Sequence, residues 1–219
     1  MRTPLVARSF FGFTGLLVVL GLVVQLFVTA GNHNGHFAGL GARLFNMFCF
    51  FTVQSNVLVA VTCLMLAVRL DRPSTVFSVL RLCGVLGITL TFVVFHVALK
   101  GLQELQGSAA FADFLLHTAS PVLCVLGWLV LGPRGRVSRT VVAWSFAFPV
   151  LWAVFTLVRG AILTYYPYPF VDVSVLGYGQ VAINSVLVAL VFGALASGAY
   201  LLDGVLDRSA GPQPAQPRA

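Results

Sequence analysis

The stretch LFNMFCFFTVQSNVLVAVTCLMLAV, residues 44–68, runs for 25 residues without one charged side chain. A helix needs about 20 apolar residues to cross the hydrocarbon core of a bilayer, so a run of this kind argues for a membrane span. Within it, Thr52, Gln54, Ser55 and Asn56 crowd into five consecutive positions. Helical spacing puts Thr52 and Asn56 on one face, one turn apart, with Ser55 beside them and Gln54 turned elsewhere.

The rest of the chain repeats the apolar theme. It has 219 residues, 59% hydrophobic and 9% charged, against about 25% charged in a soluble domain. Six segments have the length and composition of spans: 10–30, 44–68, 79–99, 113–131, 141–163 and 177–201. The expected fold is therefore all-α, a polytopic bundle of six transmembrane helices forming one domain over 1–207. The Pro- and Ala-rich segment 208–219 is expected to be a disordered cytoplasmic tail. The apolar run from Phe10 to Ala30 exceeds the length of about 7–15 residues of a signal-peptide core and reads as a retained span. No pair of Gly- or Pro-interrupted spans marks an inverted-repeat transporter.

The net charge of +7 does not point to nucleic acid, because the basic residues are not gathered in one patch. They follow the connections between spans instead. Arg2, Arg8, Arg69, Arg72, Arg81, Arg134, Arg136, Arg139, Arg208 and Arg218 fall on one side; Arg43, Lys100 and Arg159 fall on the other. Cytoplasmic connections carry the excess of Lys and Arg, so both termini are expected in the cytoplasm of a plasma-membrane, multi-pass protein. An even number of spans requires the same of the two ends. The four cysteines, Cys49, Cys63, Cys83 and Cys124, all lie in apolar runs and read as buried small hydrophobes.

This topology assigns each polar residue a depth. With a second span starting near Leu44, Thr52 lies about 12 Å in, and Asn56 one turn deeper. His117 lies about 6 Å into the fourth span, and Pro121, four residues on, cannot donate to its carbonyl. His96 and Lys100 sit near the outer end of the third span, Arg159 near that of the fifth, and Asn184 about two turns into the sixth. The last outer connection adds Tyr165, Tyr166, Tyr168 and Asp172. Thr52, Asn56, His96, His117, Arg159 and Asn184 thus come from five spans and share one outer layer. Polar groups in a span usually face a bundle interior or a wet cavity, so the layer is expected to form a polar pocket open toward the outer leaflet.

Each member also has a plainer use. Thr52 can back-bond to its own helix, Asn56 can join helices, and His96, Lys100 and Arg159 can reach the interface. His117 can be an interfacial histidine with a satisfied partner. Most of the tyrosines, with Trp128, Trp144 and Trp152, fit a role as belt anchors. As chemistry, a threonine hydroxyl becomes a nucleophile when a base takes its proton, and histidine is the usual base. Asn56, Asn184 or Arg159 would then stabilise an oxyanion, and Asp172 or a backbone carbonyl would orient the imidazole. The histidines have no carboxylate at ligand spacing, so no metal is implied, and no fingerprint implies a cofactor.

The stretches FNMFCFFTVQSNVLVA, FLLHTASPVLCVLGWLVLGPRG and YYPYPFVDVSVLGYGQV resemble the bacterial Pr-six-Pr membrane proteins along nearly the whole chain, up to about Asp207. More distantly, the pattern is similar to the androgen-induced-protein family of integral membrane threonine hydrolases, which cleave fatty acid esters of hydroxy fatty acids. That resemblance implies Thr52, in FFTVQSN, as nucleophile and His117, in HTASP, as base. YPYPF resembles that family's Pro- and aromatic-rich segment between late spans. The expected function is a lipid esterase in the bilayer, with Asn56, His96, Arg159, Asn184, Tyr168 and Asp172 toward a lipid or amphiphile substrate. Two other readings stay open. One is a non-enzymatic binding or transport protein for a small amphiphile or anion, using Arg159 and Lys100 for charge. The other is a structural partner subunit whose polar layer packs against another protein.

Overall fold

A chain this poor in charge must satisfy its backbone internally, and helices do that within one segment. The computed structural model describes residues 4–33, 35–102 and 104–209, and among these no strand occurs. In chain order the helices are α1 (Pro4–Gly31), α2 (Leu40–Phe48), α3 (Phe51–Val68) and α4 (Thr75–Val94), which runs on into a π turn at Phe95–Leu99. Then come α5 (Gly107–Phe114), a second π turn at Leu115–Ala119, α6 (Ser120–Leu131), α7 (Arg139–Ser145), α8 (Ala147–Leu163) and α9 (Val173–Ser209). Six units are long and apolar enough to cross a membrane: α1, α3, α4 with its π turn, α5 through α6, α7 with α8, and α9. The protein is thus an all-helical, multi-pass membrane protein.

One expected span differs in kind. The segment 44–68 is not a single helix but α2 and α3, separated at Cys49 and Phe50. Cys49 closes α2 with its N–H on the Asn46 carbonyl at 3.0 Å, and Phe50, which donates its N–H to the Met47 carbonyl at 3.3 Å, takes an extended conformation, φ −72° and ψ 134°. Neither proline nor glycine sits at the break. Its freed backbone groups are taken up by side chains instead: Gln54 Nε2 donates to the Phe48 carbonyl at 3.0 Å, and Trp152 Nε1 to the Cys49 carbonyl at 2.9 Å. Thr52 accordingly stands at the second residue of α3, not two turns down a longer helix. The last helix extends to Ser209, with a kink at Gly177, where φ is 74°. That left-handed value costs glycine little, having no Cβ. The rest of the segment expected as a tail, 210–219, lies outside the described residues.

The core is built around α3. Val59, Cys63 and Leu66 are fully buried against Phe11 and Val18 of α1 and against Leu82, Leu86 and Ile88 of α4. A Cβ on Gly87 would lie 2.7 Å from Ser55 Oγ, so glycine there lets α4 approach α3 at the polar cluster. Arg8 at the start of α1 donates to the Ala67 carbonyl at the end of α3, at 2.7 Å, so the two helices run antiparallel. Helices α8 and α9 present Leu151, Val154, Ile162, Val186, Leu187 and Leu190 outward, each more than half exposed. In water such faces would be a liability; in a bilayer they are the lipid contact.

Candidate functional site

The α2–α3 break determines what Thr52 does. The first turn of a helix leaves backbone N–H groups without intrahelical acceptors. The Thr52 N–H finds one in the Tyr168 hydroxyl, at 3.3 Å, and the Thr52 and Tyr168 hydroxyls also lie 3.3 Å apart. Tyr168 comes from the connection between α8 and α9, where Pro167 and Pro169 restrict the chain on either side. Phe170 stacks on its ring at 5.3 Å, and Phe50 and Trp152 pack around it. Burial pushes the Tyr168 phenol above its ordinary value, against the opposing effect of the hydrogen bonds with Thr52. The phenol therefore stays protonated at neutral pH, able to accept from one Thr52 group and to donate to the other.

One turn further into α3, Asn56 is fully buried. Its Nδ2 donates to the Thr52 carbonyl at 2.9 Å and to the Leu116 carbonyl at 3.2 Å. Two carbonyl acceptors fix which end of the amide is nitrogen, and Oδ1 is left buried without a partner, as is Ser55 Oγ. Asn56 thereby joins the turn that carries Thr52 to the residue preceding His117.

His117 lies in the second π turn. A proline at 121 has no N–H for the His117 carbonyl, and the turn widens so that Ser120 N–H reaches back to the Leu115 carbonyl. π turns of this sort are frequent at functional sites. His117 Nδ1 lies 2.9 Å from Asp113 Oδ1 and 3.2 Å from the Asp113 carbonyl. The ring stacks on Phe95 at 4.2 Å and 17°. A proton held on Nδ1 by Asp113 leaves Nε2 as the basic nitrogen. The carboxylate beside the imidazole is therefore Asp113, and not Asp172. Asp172 Oδ1 accepts from the N–H and hydroxyl of Ser174, at the start of α9. Asp113 was not among the expected site residues, and a carboxylate does stand beside this histidine, although the i, i+4 spacing that puts the two on one helical face was there to be read.

His96 belongs to the first π turn, which faces the second. Its Nδ1 lies 2.9 Å from the Phe92 carbonyl, and its Nε2 lies 3.5 Å from Thr118 Oγ1. Arg159 sits in a separate cluster. It donates to Asn46 Oδ1 at 2.9 Å and lies over the rings of Phe37, Phe45 and Tyr165, at 5.3, 5.9 and 5.8 Å. Asn46 in turn donates to the Tyr165 hydroxyl at 3.3 Å. This guanidinium fastens α2, α8 and the connection between α1 and α2 together. Asn184 donates to the Phe170 carbonyl at 2.9 Å and so holds the Tyr168 segment from the α9 side.

The expected layer is thus two neighbourhoods: Thr52, Asn56 and Tyr168 beside the His117–Asp113 and His96–Thr118 pairs, and an aromatic cap around Arg159. It is also packed rather than open, with Thr52 7% and Tyr168 8% exposed. The break in 44–68 lets Tyr168 and its aromatic neighbours close over Thr52. Among the described residues, Thr52 and His117 share no hydrogen bond, and no group of three metal-ligating side chains occurs. No family model matches the chain, and no curated protein and no solved structure is significantly similar to it.

Proposed function

We propose that the protein is a membrane ester hydrolase of the threonine type, akin to the androgen-induced-protein hydrolases and to the Pr-six-Pr proteins it resembles. In this reading Thr52 is the nucleophile, His117 the base, and an acyl ester of a lipid in the outer leaflet of the plasma membrane the substrate. The observation that carries it is Asn56, whose one amide group ties the Thr52 turn to the His117 turn. The Asp113–His117 pair supports it too, since it directs the basic nitrogen away from its own helix.

The closed arrangement is then a resting state in which Tyr168 occupies the Thr52 hydroxyl. Substrate entry displaces the phenol. His117 Nε2 takes the Thr52 proton, Oγ bonds to the ester carbonyl carbon, and the tetrahedral oxyanion collapses with loss of the alcohol, which receives that proton. Water, deprotonated by His117, then releases the fatty acid and restores Thr52. Labelling by a fluorophosphonate in membranes tests the assignment. Wild-type protein is expected to be labelled, Thr52→Ala and His117→Ala not, and Asp113→Asn weakly. Equal labelling of wild type and Thr52→Ala removes Thr52 as nucleophile.

The engagement of Thr52 by Tyr168 favours a second reading, a non-enzymatic binding or transport protein whose polar layer only hydrogen-bonds its ligand. Flux of an amphiphile into liposomes that survives Thr52→Ala, without labelling, would select it.

A further inference from the structure

At the opposite end of the bundle lies a guanidinium with no counter-ion. Arg81, in the second turn of α4, is 7% exposed. Its Nη1 contacts Thr62 Oγ1 at 3.4 Å, Cys63 Sγ at 3.3 Å and Cys124 Sγ at 3.7 Å, and its Cζ lies 5.4 Å from the centre of the Phe11 ring. Its Nη2 is buried and has no partner. Among the described residues no carboxylate pairs with it. A cation taken out of water without an anion is among the costliest arrangements in a folded chain, more so within a span.

Arg81 lines a cleft of about 30 Å3 together with Arg72, Ser78 and Arg136, and with Phe77 and Trp128 as apolar wall. Two nearby acids have partners of their own, though the second oxygen of Asp203 is buried without one. Asp71 pairs with Arg136, and Asp203 Oδ2 accepts the Val137 N–H at 2.8 Å. Arg72 Nε is held by the carbonyls of Met65 and Arg69, at 3.0 and 3.2 Å, which fixes the side chain at the cleft. Phe77 and Ser78 belong to the first turns of α4, whose N-terminal end carries partial positive charge. A volume of this size holds one oxygen atom, not a whole phosphate, so an anion would put one oxygen inward and the rest at the mouth.

We propose that this cleft binds the phosphate of an anionic phospholipid from the leaflet on the arginine-rich side. Arg81 Nη2 takes an inward phosphate oxygen, Arg72 and Arg136 hold the mouth, and Trp128 and Phe77 lie along the glycerol and upper acyl chains. Basic pockets between helices at a membrane surface recognise headgroups in this way. The combination of a buried cation with an apolar wall selects an amphiphile over a free ion.

The test is thermal unfolding of the full chain, purified and delipidated in a non-ionic detergent and titrated with phosphatidylglycerol, phosphatidylcholine of the same chains, or inorganic phosphate. Phosphatidylglycerol is expected to raise the midpoint saturably, and the other two to do so far less. Arg81→Gln and Arg72→Gln are each expected to weaken the phosphatidylglycerol response about tenfold in concentration. Arg72 is the more exposed position, so its variant decides the matter if Arg81→Gln does not fold. Equal responses to the two lipids, or a phosphatidylglycerol response unchanged in Arg72→Gln, would overturn the site. A response to inorganic phosphate as large as that to phosphatidylglycerol would overturn the lipid as its occupant, in favour of a soluble anion.

Discussion

Tyr168 is the residue on which the Thr52 site turns. Its hydroxyl is the acceptor for the Thr52 N–H and a neighbour of the Thr52 hydroxyl, inside an aromatic enclosure. Tyr168→Phe keeps the ring and removes the acceptor, leaving a buried N–H unpaired. It is expected to cost about 1–3 kcal/mol of stability, read from thermal unfolding in detergent. A variant as stable as wild type would show that the break does not depend on this phenol. The pH dependence has a definite sign. Burial raises the folded-state value of Tyr168, so the unfolded chain gives up this proton first as pH rises. Its contribution is intact below about pH 10, the unfolded value, and is lost as pH climbs from there through the folded value. The fall in midpoint between about pH 9 and pH 11 should therefore be smaller in Tyr168→Phe than in wild type.

At the scale of the element, the break before Thr52 and the π turn that carries His117 depart from regular helix for different reasons. The π turn at Leu115–Ala119 follows from Pro121, which has no N–H to give to the His117 carbonyl. Pro121→Ala restores that donor and allows regular α geometry, in which His117 would rotate relative to Asn56 and Phe95. The expected outcome is a melting point equal to or above that of wild type together with reduced fluorophosphonate labelling; unchanged labelling would mean that the π turn does not position His117. The break at Cys49–Phe50 has no such local cause. It persists because Gln54, Trp152 and Tyr168 supply what the interrupted backbone lacks. Gln54, which lies off the Thr52–Asn56 face, thus has a local use as the cap of the broken carbonyl ladder.

At the scale of the molecule, the two ends of the bundle differ in chemistry. One end gathers Arg8, Arg69, Arg72, Arg81, Arg134, Arg136 and Arg139 around short connections. The other carries the aromatic cap, the two π turns and the Thr52 site. If the arginine-rich end is cytoplasmic, as the charge bias implies, a fluorescent-protein fusion at either terminus should be fluorescent. An alkaline phosphatase inserted in the first connection, near Gly35, should be active outside. An active phosphatase fused to either terminus would reverse the orientation and put the Thr52 site on the cytoplasmic leaflet.

The number of spans, their order and the sidedness of the charge were legible in the chain by itself. They rest on local quantities: apolar length against bilayer thickness, and arginine counts in connections. His117 stood out in the chain, but its partner Asp113 was passed over in favour of Asp172, although their i, i+4 spacing is a local signal. The broken second span, the closure of Tyr168 over Thr52 and the lone guanidinium of Arg81 were not legible. Each depends on which distant side chain arrives to satisfy a backbone group, or fails to arrive to satisfy a charge. That is settled only when six helices pack, because a hydrogen bond over 116 positions, such as that between Thr52 and Tyr168, leaves no mark in local spacing.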